Sequence, residues 1–80
     1  MTTLHERLRW LRHNAGMTLQ QAASAAGTSV SLLSDVERGR TRPSLAMLER
    51  IAAVYGLSVG EALVNVGIVS DDDVTAKSED

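Results

Sequence analysis

Four side chains in this 80-residue sequence are of the types from which hydrolytic or metal chemistry is built: Ser34, Asp35, His5 and His13. A serine beside a carboxylate, with imidazoles elsewhere, is raw material for a nucleophile and its base, and histidine is the commonest metal ligand. The spacing argues against both. His5 and His13 stand eight residues apart on one helical segment, about two turns, too far to share an ion without ligands from another element. Ser34 and Asp35 fall inside a helical pattern, where capping and surface roles suit them better. There is no cysteine to supply thiolates, and no phosphate loop or nucleophile–base pair is visible. The expectation is therefore no enzyme, no cofactor and no metal.

A different chemistry is carried by Arg38, Arg40 and Arg42, three guanidiniums in a short polar run. Arginine clusters bind phosphate oxygens, although such a run can also be a solvated loop. The formal net charge of −2 conceals an uneven distribution. Residues 1–70 carry seven arginines against Glu6, Asp35, Glu37, Glu49 and Glu61, a balance of +2. Residues 71–80, with Asp71, Asp72, Asp73, Glu79 and Asp80 against Lys77, sum to −4. We expect a mildly basic domain over 1–67 and an acidic, flexible tail over 68–80. The Asp71–Asp73 run reads as a solvated tail, with cation binding and mimicry of nucleic-acid phosphates as alternatives.

These charges must be positioned by a small helical scaffold. Hydrophobic residues make up 44% of the chain, yet there is one Trp, one Tyr and no Phe. A core of Leu, Val, Ile, Met and Ala favours close helix packing over a sheet sandwich. A domain this small buries little more than half of its unfolded surface and has no room for a large enclosed site. No stretch approaches the roughly 20 apolar residues of a membrane span, and Met1–Trp10 is too charged for a secretion signal. The absence of cysteine fits a reducing interior, and a soluble, cytoplasmic protein is expected.

Punctuation is dense. Gly16, Gly27, Gly39, Gly56 and Gly67 each follow a segment of helical apolar spacing, where a left-handed residue ends a helix at little cost. Thr18 with Gln21 and Ser58 with Glu61 match the capping box, and Ser29 and Ser44 read as simpler N-caps. Five helices are predicted over 3–15, 19–26, 30–38, 45–55 and 59–66, with no strand. Leu4, Leu8, Leu11 and Ala15 form one apolar stripe, and Leu45, Leu48, Ile51, Ala52 and Tyr55 another. Leu33, Val36, Leu57 and Leu63 fill the shared core. Trp10 lies about a third of a turn off its stripe, as either a flanking core residue or a partner surface. Residues 62–69 are over-apolar for a chain end and either cap the core or join a dimer contact.

The second and third helices are short and separated only by Gly27, Thr28 and Ser29, which suits a steep crossing. Ala22, Ala23, Ala25 and Ala26 leave little bulk between them. Met17-Thr18, Ala23, Gly27, Ser29, the run Leu33-Ser34-Asp35-Val36-Glu37-Arg38-Gly39, Pro43-Ser44, and Leu48, Ile51 and Ala52 followed by Tyr55-Gly56-Leu57-Ser58-Val59 resemble the lambda- and 434-repressor-like, or XRE-type, helix-turn-helix regulators. The likeness covers about residues 4–66. Within that family the chain also resembles the N-terminal half of certain bacterial damage-response repressors.

The resemblance implies a compact all-α five-helix bundle with the helix-turn-helix at helices 2 and 3. It implies a transcriptional regulator, a repressor, selective for double-stranded DNA. Ser29, Val30, Ser31, Leu32 and Asp35 would face base edges in the major groove. Thr18, Arg38, Arg40 and Arg42 would meet phosphates, and Arg12 and Glu37 would form a structural ion pair. A homodimer would place two recognition helices about one DNA turn apart, ~34 Å, and require a palindromic operator. Relatives often carry a second, sensing or oligomerising domain, so a further domain or protein partner is compatible with the chain. Leu19 and Val30 depart from the glutamine and polar amides common in the family, which makes direct base readout thin. The alternative reading is a helix-turn-helix-derived protein-interaction module, antitoxin- or anti-repressor-like, favoured by Val30, Leu32 and Asp35 on the exposed helix.

Overall fold

The computed structural model describes residues 2–64 and Val66. Gly67 and the acidic 68–80 segment, with the expectations attached to them, lie outside the described residues. Five helices follow in order: α1 Leu4–Asn14, α2 Leu19–Ala26, α3 Val30–Glu37, α4 Leu45–Val54 and α5 Val59–Ala62. Among the described residues there is no strand; an isolated parallel bridge joins Thr2 to Val66. The architecture is the expected all-α type with a short α2–α3 pair.

Every helix begins with a hydroxyl. Thr3, Thr18 and Ser58 form full capping boxes with Glu6, Gln21 and Glu61, and Ser29 and Ser44 accept from Leu32 and Met47. Each cap satisfies a backbone N–H that the first helical turn leaves free. The first four helices also end alike. Gly16, Gly27, Gly39 and Gly56 hold φ of 69°, 70°, 75° and 74°, and the amide after each donates to the carbonyl five residues back: Met17 to Arg12, Thr28 to Ala23, Arg40 to Asp35 and Leu57 to Ala52. This is the Schellman ending, which turns the chain within two residues.

The core is built from Leu8, Leu11, Leu33, Val36, Leu48 and Ile51, with Ala22, Ala23, Ala26, Ala52 and Ala62 between them. α2 packs on both α3 and α4, α1 on α3, and α4 on α5. The buried alanines of α2 allow those approaches, because a methyl leaves room for the neighbouring helix. Full burial of Leu8, Leu33 or Ile51 contributes about 2 kcal/mol each.

Three expectations need correction. Ala15 is exposed rather than core, because α1 ends at Asn14 and Ala15 is its C-cap. Leu45 is 65% exposed; it shares a face with Ala52 but stands two turns earlier, past the edge of what covers that face. α5 stops at Ala62 rather than 66, since the chain turns at Leu63 and Val64 to bring Val66 beside Thr2. Ala62 and Val66 are buried, so that part of the apolar end closes the core, while Val64 remains exposed.

Candidate nucleic-acid interface

The junction of α2 and α3 is three residues long, and each contributes to its geometry. Gly27 takes the left-handed turn, Thr28 donates to Ala23, and Ser29 caps α3 through its Oγ, 3.0 Å from the Leu32 amide. Leu33 and Val36 anchor α3 in the core from its inner face. The outer side of its first turn is left to solvent: Val30 is 43% and Leu32 38% exposed, and Ser29 and Ser31 are exposed as well. Asp35, one turn on, is half-buried. A helix opening with its N-terminal residues uncovered is the form that enters a major groove.

Beyond α3, Arg38 is the helix C-cap and Arg40 and Arg42 follow the left-handed Gly39; all three are exposed. The same loop folds against the start of α1. A crevice of about 250 Å³ is lined by Thr3, Leu4 and His5 on one side and Arg40, Thr41 and Arg42 on the other. The sequence holds no local signal for this meeting, because it joins the first helix to a loop more than thirty residues later. Thr18 is exposed at the start of α2, where its Oγ1 accepts from Gln21 N at 3.0 Å and its own amide donates to Gln21 Oε1 at 2.9 Å.

Arg12 and Glu37 are brought together in the interior, Nε to Oε2 at 2.9 Å, with Arg12 Nη1 donating to Met17 O at 2.9 Å. Tyr55 lies near this pair. Burial pushes its phenol up to about 12, with the Glu37 charge adding to the rise and Arg12 opposing it. At the surface of α1, the Arg7 guanidinium stands 5.1 Å from the centroid of Trp10, which is 54% exposed. Trp10 is thus a surface residue rather than a flanking core one.

The residues first considered for catalysis are dispersed. His5 lies 3.2 Å from Thr3 Oγ1, while His13 is on the exposed side of α1, 3.4 Å from Arg12 Nη2. Among the described residues no group of three or more His, Cys, Asp or Glu is placed to hold a metal ion, and no helix is long and apolar enough to cross a membrane.

A short, glycine-turned α2–α3 pair with an uncovered α3 start and an arginine loop defines the helix-turn-helix class. Residues 4–64 match the helix-turn-helix domain family, and the chain belongs to that family. It is 48% identical over 68 residues to the HTH-type transcriptional regulator DdrOP3 of Deinococcus deserti, a match covering 85% of this chain and 53% of that protein. It is 30% identical over 78 residues to the immunity repressor protein of Bacillus phage phi105, covering 98% and 54%. The chain thus spans about half the length of these curated relatives. Among solved structures, the clp gene regulator ClgR from Corynebacterium glutamicum aligns with a TM-score of 0.73 at 36% identity, over 76% of this chain and 65% of that one. SinR, the master regulator for biofilm formation solved in complex with DNA, aligns with a TM-score of 0.71 at 34% identity, over 76% of this chain and 98% of that one.

Proposed function

We propose that this chain binds double-stranded DNA with sequence selectivity as a homodimeric transcriptional repressor acting on a palindromic operator. The observation that carries the reading is the exposed first turn of α3 next to the exposed Arg38, Arg40 and Arg42, on a helix-turn-helix pair held rigidly from inside. The DNA complex of the similar SinR and the immunity repressor among the relatives support it. In this reading Ser29 and Ser31 bond to base edges, Val30 and Leu32 touch thymine methyls, and Asp35 accepts from a cytosine amine. Thr18, Arg38, Arg40 and Arg42 meet phosphates, which sets affinity and register without reading sequence. The protein needs no cofactor for this work and acts in the cytoplasm.

Selection from a pool of random duplexes, followed by fluorescence anisotropy at two salt concentrations, tests the proposal. An enriched palindrome whose affinity falls steeply with salt is the expected result. If no duplex is retained even at low salt, the exposed apolar pair Val30 and Leu32 instead becomes a protein-binding face. The similar SinR protein has also been solved in complex with the SinI protein.

A further inference from the structure

His5 occupies the floor of the arginine loop. Its ring lies so close to Gly39 that a Cβ built there would meet Nδ1 at 2.8 Å and Cε1 at 2.9 Å. Gly39 is the left-handed residue at which α3 ends and the Arg40–Arg42 segment begins. Thr3 Oγ1 also lies against the imidazole, 3.2 Å from Nδ1 and 3.5 Å from Nε2. Thr3 is itself fixed as the α1 N-cap by its reciprocal bonds with Glu6. The loop that carries the cations is therefore seated on an imidazole that the first helix holds in place.

We propose that His5 is a positioning residue of the phosphate-contacting loop, and that its protonated form strengthens DNA binding, so that affinity rises as pH falls. The inference rests on the DNA-binding reading above. The neutral ring braces Gly39 by contact. The imidazolium keeps that contact and adds a cation to the crevice that Arg40 and Arg42 line, with two N–H donors for Thr3 and for a phosphate oxygen. The charges around the ring include Glu6 and Arg9 on its own helix, the first attracting the imidazolium and the second, one turn on, repelling it, and Arg40 and Arg42 on the crevice it lines, which also repel it. The α1 N-terminus adds its positive end, while α3 presents Val36 and the Gly39 backbone. A DNA phosphate on the loop offsets the arginine repulsion and attracts the proton directly. The complex then holds the proton more tightly than the free protein does, and linkage makes DNA binding tighter at lower pH by the same factor.

The test measures anisotropy with a labelled mixed-sequence duplex from about pH 8 to about pH 5.5 at fixed low ionic strength, for the native chain, His5→Gln and His13→Gln. The native chain and His13→Gln should tighten by on the order of threefold to tenfold as pH falls, and His5→Gln should be flat. Binding of the native chain that ignores pH, or a pH dependence retained in His5→Gln, would overturn the inference while leaving DNA binding intact. Absence of binding at every pH would overturn the DNA reading and this inference with it. Calorimetry in buffers of different ionisation enthalpy, on the native chain and His5→Gln, gives an independent measure. Proton uptake on binding supports the role when it is absent from His5→Gln, and zero uptake by the native chain refutes it.

Discussion

Arg12 and Glu37 meet end to side across the interior, the Nε of one donating to both carboxylate oxygens of the other at 3.0 and 2.9 Å. With its bond to Met17 O, the same guanidinium ties α1 to the end of α3 and to the segment entering α2. Removing one partner leaves a buried charge without its counter-ion, which costs about 3–5 kcal/mol, whereas replacing both with apolar groups of similar size is far milder. We expect Glu37→Ala to lower the urea midpoint sharply and Arg12→Met/Glu37→Leu to recover most of the loss. If the double variant is no better than the single, the pair acts through bonds such as that to Met17 rather than through charge neutrality.

Gly39 and Gly56 have nearly the same positive φ but different surroundings. A methyl at Gly56 meets nothing within 4 Å, whereas at Gly39 it runs into the His5 ring. Gly56→Ala should cost about 1 kcal/mol for the left-handed backbone alone, and Gly39→Ala visibly more. In a His5→Ala background the cost at Gly39 should fall to the Gly56 value. Denaturant melts of the four chains of that double-mutant cycle check it, and additivity would mean that the ring does not brace the loop.

In the proposed reading Arg40 meets phosphate rather than a base. Arg40→Ala should then weaken binding equally on operator and mixed-sequence duplexes, and reduce the slope of log affinity against log salt by about one. Ser31→Ala should reduce operator affinity while leaving mixed-sequence binding nearly unchanged. A loss confined to the operator in the Arg40 variant would move that residue to the base-reading set.

Tyr55 is the chain's one tyrosine, so its ionisation can be followed by tyrosinate absorbance. Its folded-state value of about 12 exceeds the ordinary value of 10, so above pH 10 the unfolded chain gives up the proton first. The stability it contributes is intact below pH 10 and is lost as pH rises from there towards 12. Tyr55→Phe should flatten that alkaline decline. Partial exposure of the ring keeps the effect modest. Titration of native tyrosine at its ordinary value would show that burial does not govern it.

The parts of this molecule that were legible in its sequence obey local rules. Thr18, Ser29, Ser44 and Ser58 announce helix starts because a cap and the backbone amide that donates to it lie within three residues, and the positive-φ glycines announce stops. Ala15 and Leu45 misled because periodicity gives the direction of a side chain and not whether anything covers it. The early end of α5 depends on Val66 reaching Thr2, and the His5–Gly39 contact joins α1 to a distant loop. Neither leaves a pattern in neighbouring residues. The Thr3–Glu6 box and the Arg7–Trp10 stack, by contrast, lie three residues apart on α1 and could have been found by spacing alone.

The α2–α3 joint is closed by backbone groups, one glycine and the Ser29 hydroxyl, while Leu33 and Val36 seat the helix from within. The side chains of Val30, Ser31 and Leu32 are exposed and lie outside the core cluster. Housing and lettering are thus largely separate on this helix, Ser29 being proposed for both: the three outward positions Val30, Ser31 and Leu32 can be rewritten with little change to the frame that presents them. In the proposed reading, a lineage or an engineer can therefore change the DNA address one letter at a time, provided that Ser29 keeps its hydroxyl and Gly27 its freedom to turn.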